Sequence, residues 1–255
     1  DKKFVDGYFK YVHHKLEEEG VDFWWIDWQQ GNNSGIKGLD PLWLLNYFHY
    51  KDISRNNKRA LILSRYAGAG SHRYPVGFSG DTVISWESLK FQPYFTSTAS
   101  NIGYAWWSHD IGGHMNGIKD DELFVRWVQL GTFSPILRLH STENEFNGKE
   151  PWNYNLIAKN ISIEFLRLRH KLIPYLYTMN YITHLEKTPL ILPVYYDNPR
   201  IDKAYEVRNE YYFGTNLLVL PITSKTDSKS NMSVENAYLP KGEWIDIFTG
   251  LKYFG

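Results

Sequence analysis

In FWWIDWQQG, residues 23–31, an aspartate, Asp27, ends a run of apolar and aromatic residues and is followed by two glutamines. A second carboxylate, Asp81, lies in GFSGDT, residues 77–82, and a third, Asp110, in HDIGGH, residues 109–114. The end of a buried strand is where barrel enzymes keep their reactive groups. Two carboxylates roughly 5 to 5.5 Å apart, one charged and one protonated, suffice for double displacement at a sugar carbon. For Asp27 alone, a helix cap or a salt bridge is the simpler alternative, because carboxylates in polar networks are frequently structural. Three of them after successive strands would converge on one barrel mouth.

The elements that must position these groups alternate along the chain. Residues 6–19 carry Tyr8, Phe9, Val12 and Leu16 near helical spacing and end in EEEG, where Gly20 is a stop signal. VDFWWIDW is continuously apolar, as suits a parallel strand covered on both faces. LDPLWLLNYFHYKDI then reads as a helix and RALILSRY as a strand. IGYAWWSHD reads as a strand, DDELFVRWVQLGTF as a helix, SPILRLHS as a strand, residues 155–186 as one or two long helices, and TPLILPVYY as a further strand. This alternation predicts an α/β fold with a parallel sheet, and the carboxylates at strand ends predict a (β/α) barrel. About five barrel strands can be counted where closure needs eight, so the first part of the barrel is expected on a longer chain or a partner fragment. After about residue 205, the short segments NEYYFG, NLLVLPIT, NAYLP and EWIDIFTG predict the start of an antiparallel β domain. The expected division is a partial catalytic barrel at 1–204 and the start of a proximal C-terminal β domain at 205–255.

Composition narrows the partners. Lys and Arg balance Asp and Glu at 28 each in 255 residues, so no excess field selects a nucleic acid or an anionic membrane, and a neutral ligand is expected. Aromatic residues make up 17% of the chain, with 10 Trp and 19 Tyr, and their flat amphipathic rings suit sugar faces and protein interfaces alike. With no cysteine, thiolate catalysis, disulfide scaffolds and cysteine metal sites are excluded. The N-terminal segment shows neither a long apolar signal region nor a membrane span.

At the three carboxylates the sequence resembles glycoside hydrolase family 31, the retaining α-glycosidases that include α-glucosidases and α-xylosidases. WIDWQQG stands where that family has W-x-D-M-N-E, and the resemblance makes Asp27 the nucleophile. SRYAGAGSHRYPVGFSGD, residues 64–81, is similar to the arginine-led segment that carries the general acid/base, which implies that role for Asp81 and a sugar contact for Arg65. WWSHDIGGH matches the segment whose aspartate holds the sugar, here Asp110, and SPILRLHS the strand with a substrate-binding histidine, here His140. TPLILPVYY resembles the last barrel strand, and LPKGEWIDIFTG a signature of the proximal β domain. The resemblance spans nearly the whole chain and implies about strands 4 to 8 of a (β/α)8 TIM barrel. It departs from the family pattern at Trp28, Gln29 and Gln30, and in a short spacing from Asp27 to Asp81. Both changes lie near the expected mouth, so the resemblance bears more directly on the reaction than on the sugar.

The implied reaction is retaining hydrolysis of a terminal α-linked sugar, with glucose as the leading candidate: Asp27 attacks the anomeric carbon and Asp81 first donates, then recovers, a proton. Trp25, Trp28, Trp106 and Trp107 flank the carboxylates. Strand alternation lets only one of an adjacent pair face the interior, and core packing is the alternative for each. Trp25, Trp28 and Trp107 are taken as sugar platforms. Gln29 and Gln30 cap a helix or reach a substituent on the substrate. His109 and His114 bracket Asp110 and raise a metal reading, but the resemblance implies no metal and no cofactor. For His140 the alternative is a structural histidine. The expected partner is a carbohydrate, with no nucleic acid and no membrane. α-N-Acetylgalactosaminidase or α-galactosidase activity, a transglycosylase, and a non-catalytic carbohydrate-binding homologue are the competing functions.

Overall fold

The structure, a computed structural model of the 255-residue chain, describes residues 1–28, 30–65 and 68–255. Residues 1–80 and 81–255 form two compact units, each described by itself. Among the described residues, no helix is long and apolar enough to cross a membrane.

The first unit begins with α1 (Lys2–Tyr8), whose first turn is capped by Asp1 accepting from the Lys3 N–H at 2.8 Å. The helix passes through a π-turn at Phe9–His13 into α2 (His14–Glu18). The wider turn shifts the phase of the buried face. Phe9 and His13 are therefore buried, whereas Val12 and Leu16, expected on the core side, are exposed. His13 packs against Trp24 at 4.2 Å and His49 at 5.1 Å, and burial lowers the pKa of both histidines, that of His49 to about 4. β1 (Trp24–Ile26) follows, then α3 (Pro41–Ile53), which starts where Asp40 accepts from the Leu42 N–H and Pro41 takes the first helical position. β2 (Ile62–Arg65) runs parallel to β1, with Trp25 opposite Leu63, and β3 (Val76–Phe78) parallel to β2, with Ser64 opposite Gly77. Ile26, Leu42, Ile53 and Ile62 form the core of this unit. β3 is absent from the sequence reading, which assigned Gly77 and Phe78 to no strand. Three residues between glycines and a proline were too short to read as a strand.

The second unit contains another element absent from the sequence reading, α4 (Trp86–Ala99), capped by Ser85, which accepts from the Ser88 N–H at 3.1 Å. Its buried positions include Gln92, Thr96 and Ser97, and Pro93 lies inside it, so neither hydrophobic period nor propensity signals a helix. β4 (Trp107–Ser108) follows, then α5 (Asp121–Thr132), which carries Leu123, Phe124, Trp127, Val128 and Leu130 into the main core. SPILRLHS forms two isolated parallel bridges, Ser108 to Ile136 and Ile111 to Leu139, in place of a continuous strand. α6 (Leu156–Lys171) and α7 (Ile173–Glu186) are the expected helix pair, divided at Leu172 just before Pro174.

β5 (Ile191–Pro193) corrects a second expectation. Read from the sequence as the last barrel strand, it pairs antiparallel with β6 (Tyr211–Phe213), which pairs antiparallel with β7 (Leu217–Val219). The apolar run in TPLILPVYY is equally suited to either kind of sheet, and only the pairing partner decides. β8 (Glu243–Ile245) and β9 (Lys252–Phe254) form a hairpin.

Candidate functional site

The described site residues fall into two groups, one in each unit. In the first, Asp27 follows directly on β1, and Arg65 is the last residue of the neighbouring β2. Parallel pairing of β1 with β2 brings the two side chains together, and Arg65 Nε donates to Asp27 Oδ1 in an ion pair. Arg65 is the more enclosed partner, with a side chain 13% exposed against 31% for Asp27, so the carboxylate stays open to a ligand while its charge is balanced from behind. The Arg65 guanidinium lies over the Phe78 ring at 5.5 Å, and Trp25 meets the same ring edge-on at 5.3 Å. Trp24 turns the other way and donates to Glu17 at 2.8 Å, as strand alternation requires. Trp25 and Trp28 remain exposed, at 41% and 62%, and Gln30 is partly buried. Gln29 lies outside the described residues.

The second group gathers Asp81, Asp110, His114 and His140. Asp110 is fully buried, and both of its oxygens accept: Oδ1 from Arg138 Nη2 at 2.6 Å and Oδ2 from the Thr82 N–H at 3.1 Å. His114 Nε2 stands 3.7 Å from Asp81 Oδ1, and its ring stacks on that of His140 at 4.5 Å and 22°. The backbone makes this convergence. The His114 N–H donates to Thr82 O at 2.6 Å, and the Ile111 N–H to Arg138 O at 3.1 Å. The glycines of HDIGGH permit the close approach: at Gly113 φ is +78° and a Cβ would come within 2.8 Å of Ile84 Cα, while at Gly112 it would strike the Lys149 stem at 2.4 Å. His140 has its pKa lowered, first by burial and then by the Arg138 charge, so its neutral ring can exchange hydrogen bonds with a ligand near neutral pH.

One sequence reading is corrected here. Trp107, taken as a sugar platform, is 3% exposed and wedged edge-on between Phe95 and Tyr104, at 5.1 and 5.2 Å. It is a core residue. His109, half of the metal reading, is fully buried on Gln92 at 2.7 Å, with burial lowering its pKa to about 3. Among the described residues, the one set of three groups with metal-ligand spacing is Asp81, Asp110 and His114, whose donor atoms lie within 4.8 Å of one another. The Arg138 guanidinium already pairs with Asp110, so a cation there would meet that positive charge.

Arg138 is the residue that sequence reasoning missed. It sits two positions before His140, so the two share one face of an extended segment, and a lone arginine inside SPILRLHS was the available signal.

Parallel strands that carry polar groups beyond their C-terminal ends suit a (β/α) barrel. Comparison with known families makes this specific. Residues 1–179 match the family 31 glycosyl hydrolase TIM-barrel domain, and residues 187–255 the C-terminal domain of the same family. The chain belongs to glycosyl hydrolase family 31: part of a TIM barrel followed by the C-terminal β domain. It is 34% identical over 206 residues to an α-xylosidase of Saccharolobus solfataricus, covering 78% of this chain and 27% of the relative. It is 30% identical over 203 residues to α-glucosidase 2 of Bacillus thermoamyloliquefaciens, covering 79% and 25%. A dextranase of Flavobacterium johnsoniae, solved with isomaltotriose, superposes with a TM-score of 0.87 at 27% identity, over all of this chain and 34% of that one. The chain thus spans about a quarter of the length of these curated relatives.

Proposed function

We propose that the protein is a retaining α-glycosidase that removes a terminal α-linked sugar, with Asp27 as nucleophile and Asp81 as general acid/base. The observation that carries the reading is the Asp27–Arg65 pair at the ends of adjacent parallel strands, a charged and accessible carboxylate in the position where the family resemblance puts the nucleophile. Asp27 attacks the anomeric carbon as the Asp81 proton passes to the leaving oxygen; water then opens the glycosyl ester while Asp81 takes the proton back. Arg138 braces the fully buried Asp110, and His140 beside it supplies a neutral donor and acceptor for sugar hydroxyls. Trp25 and Trp28 offer exposed apolar faces, and Gln30 an amide, near the nucleophile. Glucose is the sugar we favour. Xylose is the second reading, because the chain is similar to an α-xylosidase as well as to α-glucosidases. The partner is a carbohydrate, and none of the proposed steps calls on a metal or a cofactor.

Proton NMR of the first-formed product from p-nitrophenyl α-glucoside and α-xyloside tests this. The α anomer should appear first, and Asp27→Asn should abolish turnover while sugar binding persists. The β anomer first, or full turnover by Asp27→Asn, would refute the assignment.

A further inference from the structure

The chain that leaves β5 sets three tyrosines together within the second unit: Tyr195 and Tyr196 in a 3-10 turn (Val194–Tyr196), and Tyr205 in the short helix α8 (Lys203–Glu206). The rings of Tyr195 and Tyr205 lie parallel, 4.7 Å apart at 4°, and Tyr196 leans on Tyr195 at 5.6 Å and 28°. Each hydroxyl is tied to the protein. Asn101, in the turn that follows α4, donates from Nδ2 to the Tyr195 hydroxyl at 2.8 Å and accepts from the Tyr196 hydroxyl on Oδ1 at 2.9 Å. The Tyr205 hydroxyl donates to Pro199 O at 3.1 Å. The same stretch is fastened to α4 at two further points, where Ser100 Oγ donates to Ile191 O and the Arg208 guanidinium lies over the Tyr94 ring at 5.4 Å.

Tyr205 is 51% exposed although Tyr195 covers its inner face, so what it presents to solvent is a flat, immobilised outer face. A ring already held in place loses little freedom when a ligand packs on it. Polar atoms sit at its margin: the Tyr195 hydroxyl accepts from Asn101, and its own proton has no acceptor among the described residues. Charge is balanced across the segment. From Val194 to Arg208, the cations Arg200, Lys203 and Arg208 match the anions Asp197, Asp202 and Glu206, so no field draws a phosphate chain or an anionic surface. A pinned aromatic face with a hydroxyl donor beside it and no net charge suits the C–H face and hydroxyls of a pyranose ring. Asn101 comes before β4 and Asp110 after it, which sets the tyrosines at the opposite end of that strand from Asp110.

We propose that the outer face of Tyr205, backed by Tyr195, is a docking platform for a neutral α-glucan chain, a sugar site separate from the carboxylates that holds polymeric substrate on the protein surface. The choice of an α-glucan rests on the glycosidase reading, whereas the platform rests on the tyrosine geometry alone. Affinity electrophoresis of the full chain in gels containing dextran, with a dextran-free gel as reference, tests it. Tyr205→Ala should raise the dissociation constant for dextran at least fivefold, while Tyr205→Phe, which keeps the ring face, should stay within twofold of wild type. Hydrolysis of p-nitrophenyl α-glucoside should be the same for all three. Equal retardation of wild type and Tyr205→Ala, or no retardation of the wild type, overturns the proposal. A loss of self-association in Tyr205→Ala on sedimentation, with dextran binding unchanged, would overturn it too and assign the surface to a protein contact. Because retardation is read without turnover, a wild type that binds dextran but cleaves no glucoside refutes the catalytic assignment and leaves the platform standing.

Discussion

Glu210 allows a stability prediction with its sign fixed in advance. The residue precedes β6 and is 2% exposed; Oε2 accepts from the Tyr238 N–H at 3.0 Å, and Oε1 is a buried oxygen with no hydrogen-bond partner among the described residues. Burial pushes its pKa from 4.5 up to about 7, against the smaller downward pull of the Tyr238 N–H. The fold therefore prefers the protonated acid. A pKa raised on folding contributes stability that is complete below the unfolded value and lost as pH rises through the folded value. At about 1.4 kcal/mol per pH unit, this one side chain should cost the fold about 3 kcal/mol between pH 4.5 and pH 7 and little more above it. Glu210→Gln keeps the shape and stays neutral throughout. Denaturant midpoints for both proteins, taken from pH 4.5 to 8 with the slope m held as a control, should start close together and diverge as pH rises, the variant becoming the more stable. Titration of the other groups, His13 and His49 included, cancels in the difference. Parallel curves across that range would refute the buried-acid argument.

Arg138→Ala should cost about 3–5 kcal/mol, because it strands a fully buried Asp110 carboxylate, and adding Asp110→Asn should recover part of the loss in urea titration. Gly113→Ala should be worse than Gly68→Ala: both positions have φ near +78°, worth about 1–3 kcal/mol, but only at Gly113 does the new methyl meet backbone, and thermal midpoints would show the gap. Trp107→Ala should destabilise by about 3–5 kcal/mol. Trp28→Ala should stay within about 0.5 kcal/mol while weakening sugar binding, which calorimetry with glucose would register.

How much could be read from the residues depended on whether a signal was local. The strands ahead of Asp27, Arg65 and Asp110 declared themselves because buried parallel strands are continuous apolar runs. Asp27 and Arg65 were each assigned to the sugar site, and the structure joins them in an ion pair. α4 was invisible because its buried face sets Gln92, Pro93, Thr96 and Ser97 between Leu89 and Ala99, which breaks the hydrophobic periodicity. The π-turn at Phe9–His13 moved the buried face off Val12 and Leu16, a change no fixed-period pattern anticipates. β5 was assigned to the wrong kind of sheet, and Trp107 to a sugar instead of Phe95 and Tyr104, because pairing partners and the direction of one aromatic in a WW pair are tertiary facts. Arg138 escaped notice because its role depends on Asp110, which lies 28 residues earlier in the chain.

The segment carrying Arg138 and His140 is joined to residues 107–111 by two single bridges, through backbone bonds from Ile136 N–H to Trp107 O, Ile111 N–H to Arg138 O and His140 N–H to Ile111 O. Arg138 adds side-chain moorings to Asp110 and Ser108. A fluctuation that lifted this edge would withdraw the histidine and the arginine in a single movement. Ligand grip and local rigidity would then rise and fall together, and tightening by a bound sugar should register as slower amide exchange across residues 136–140.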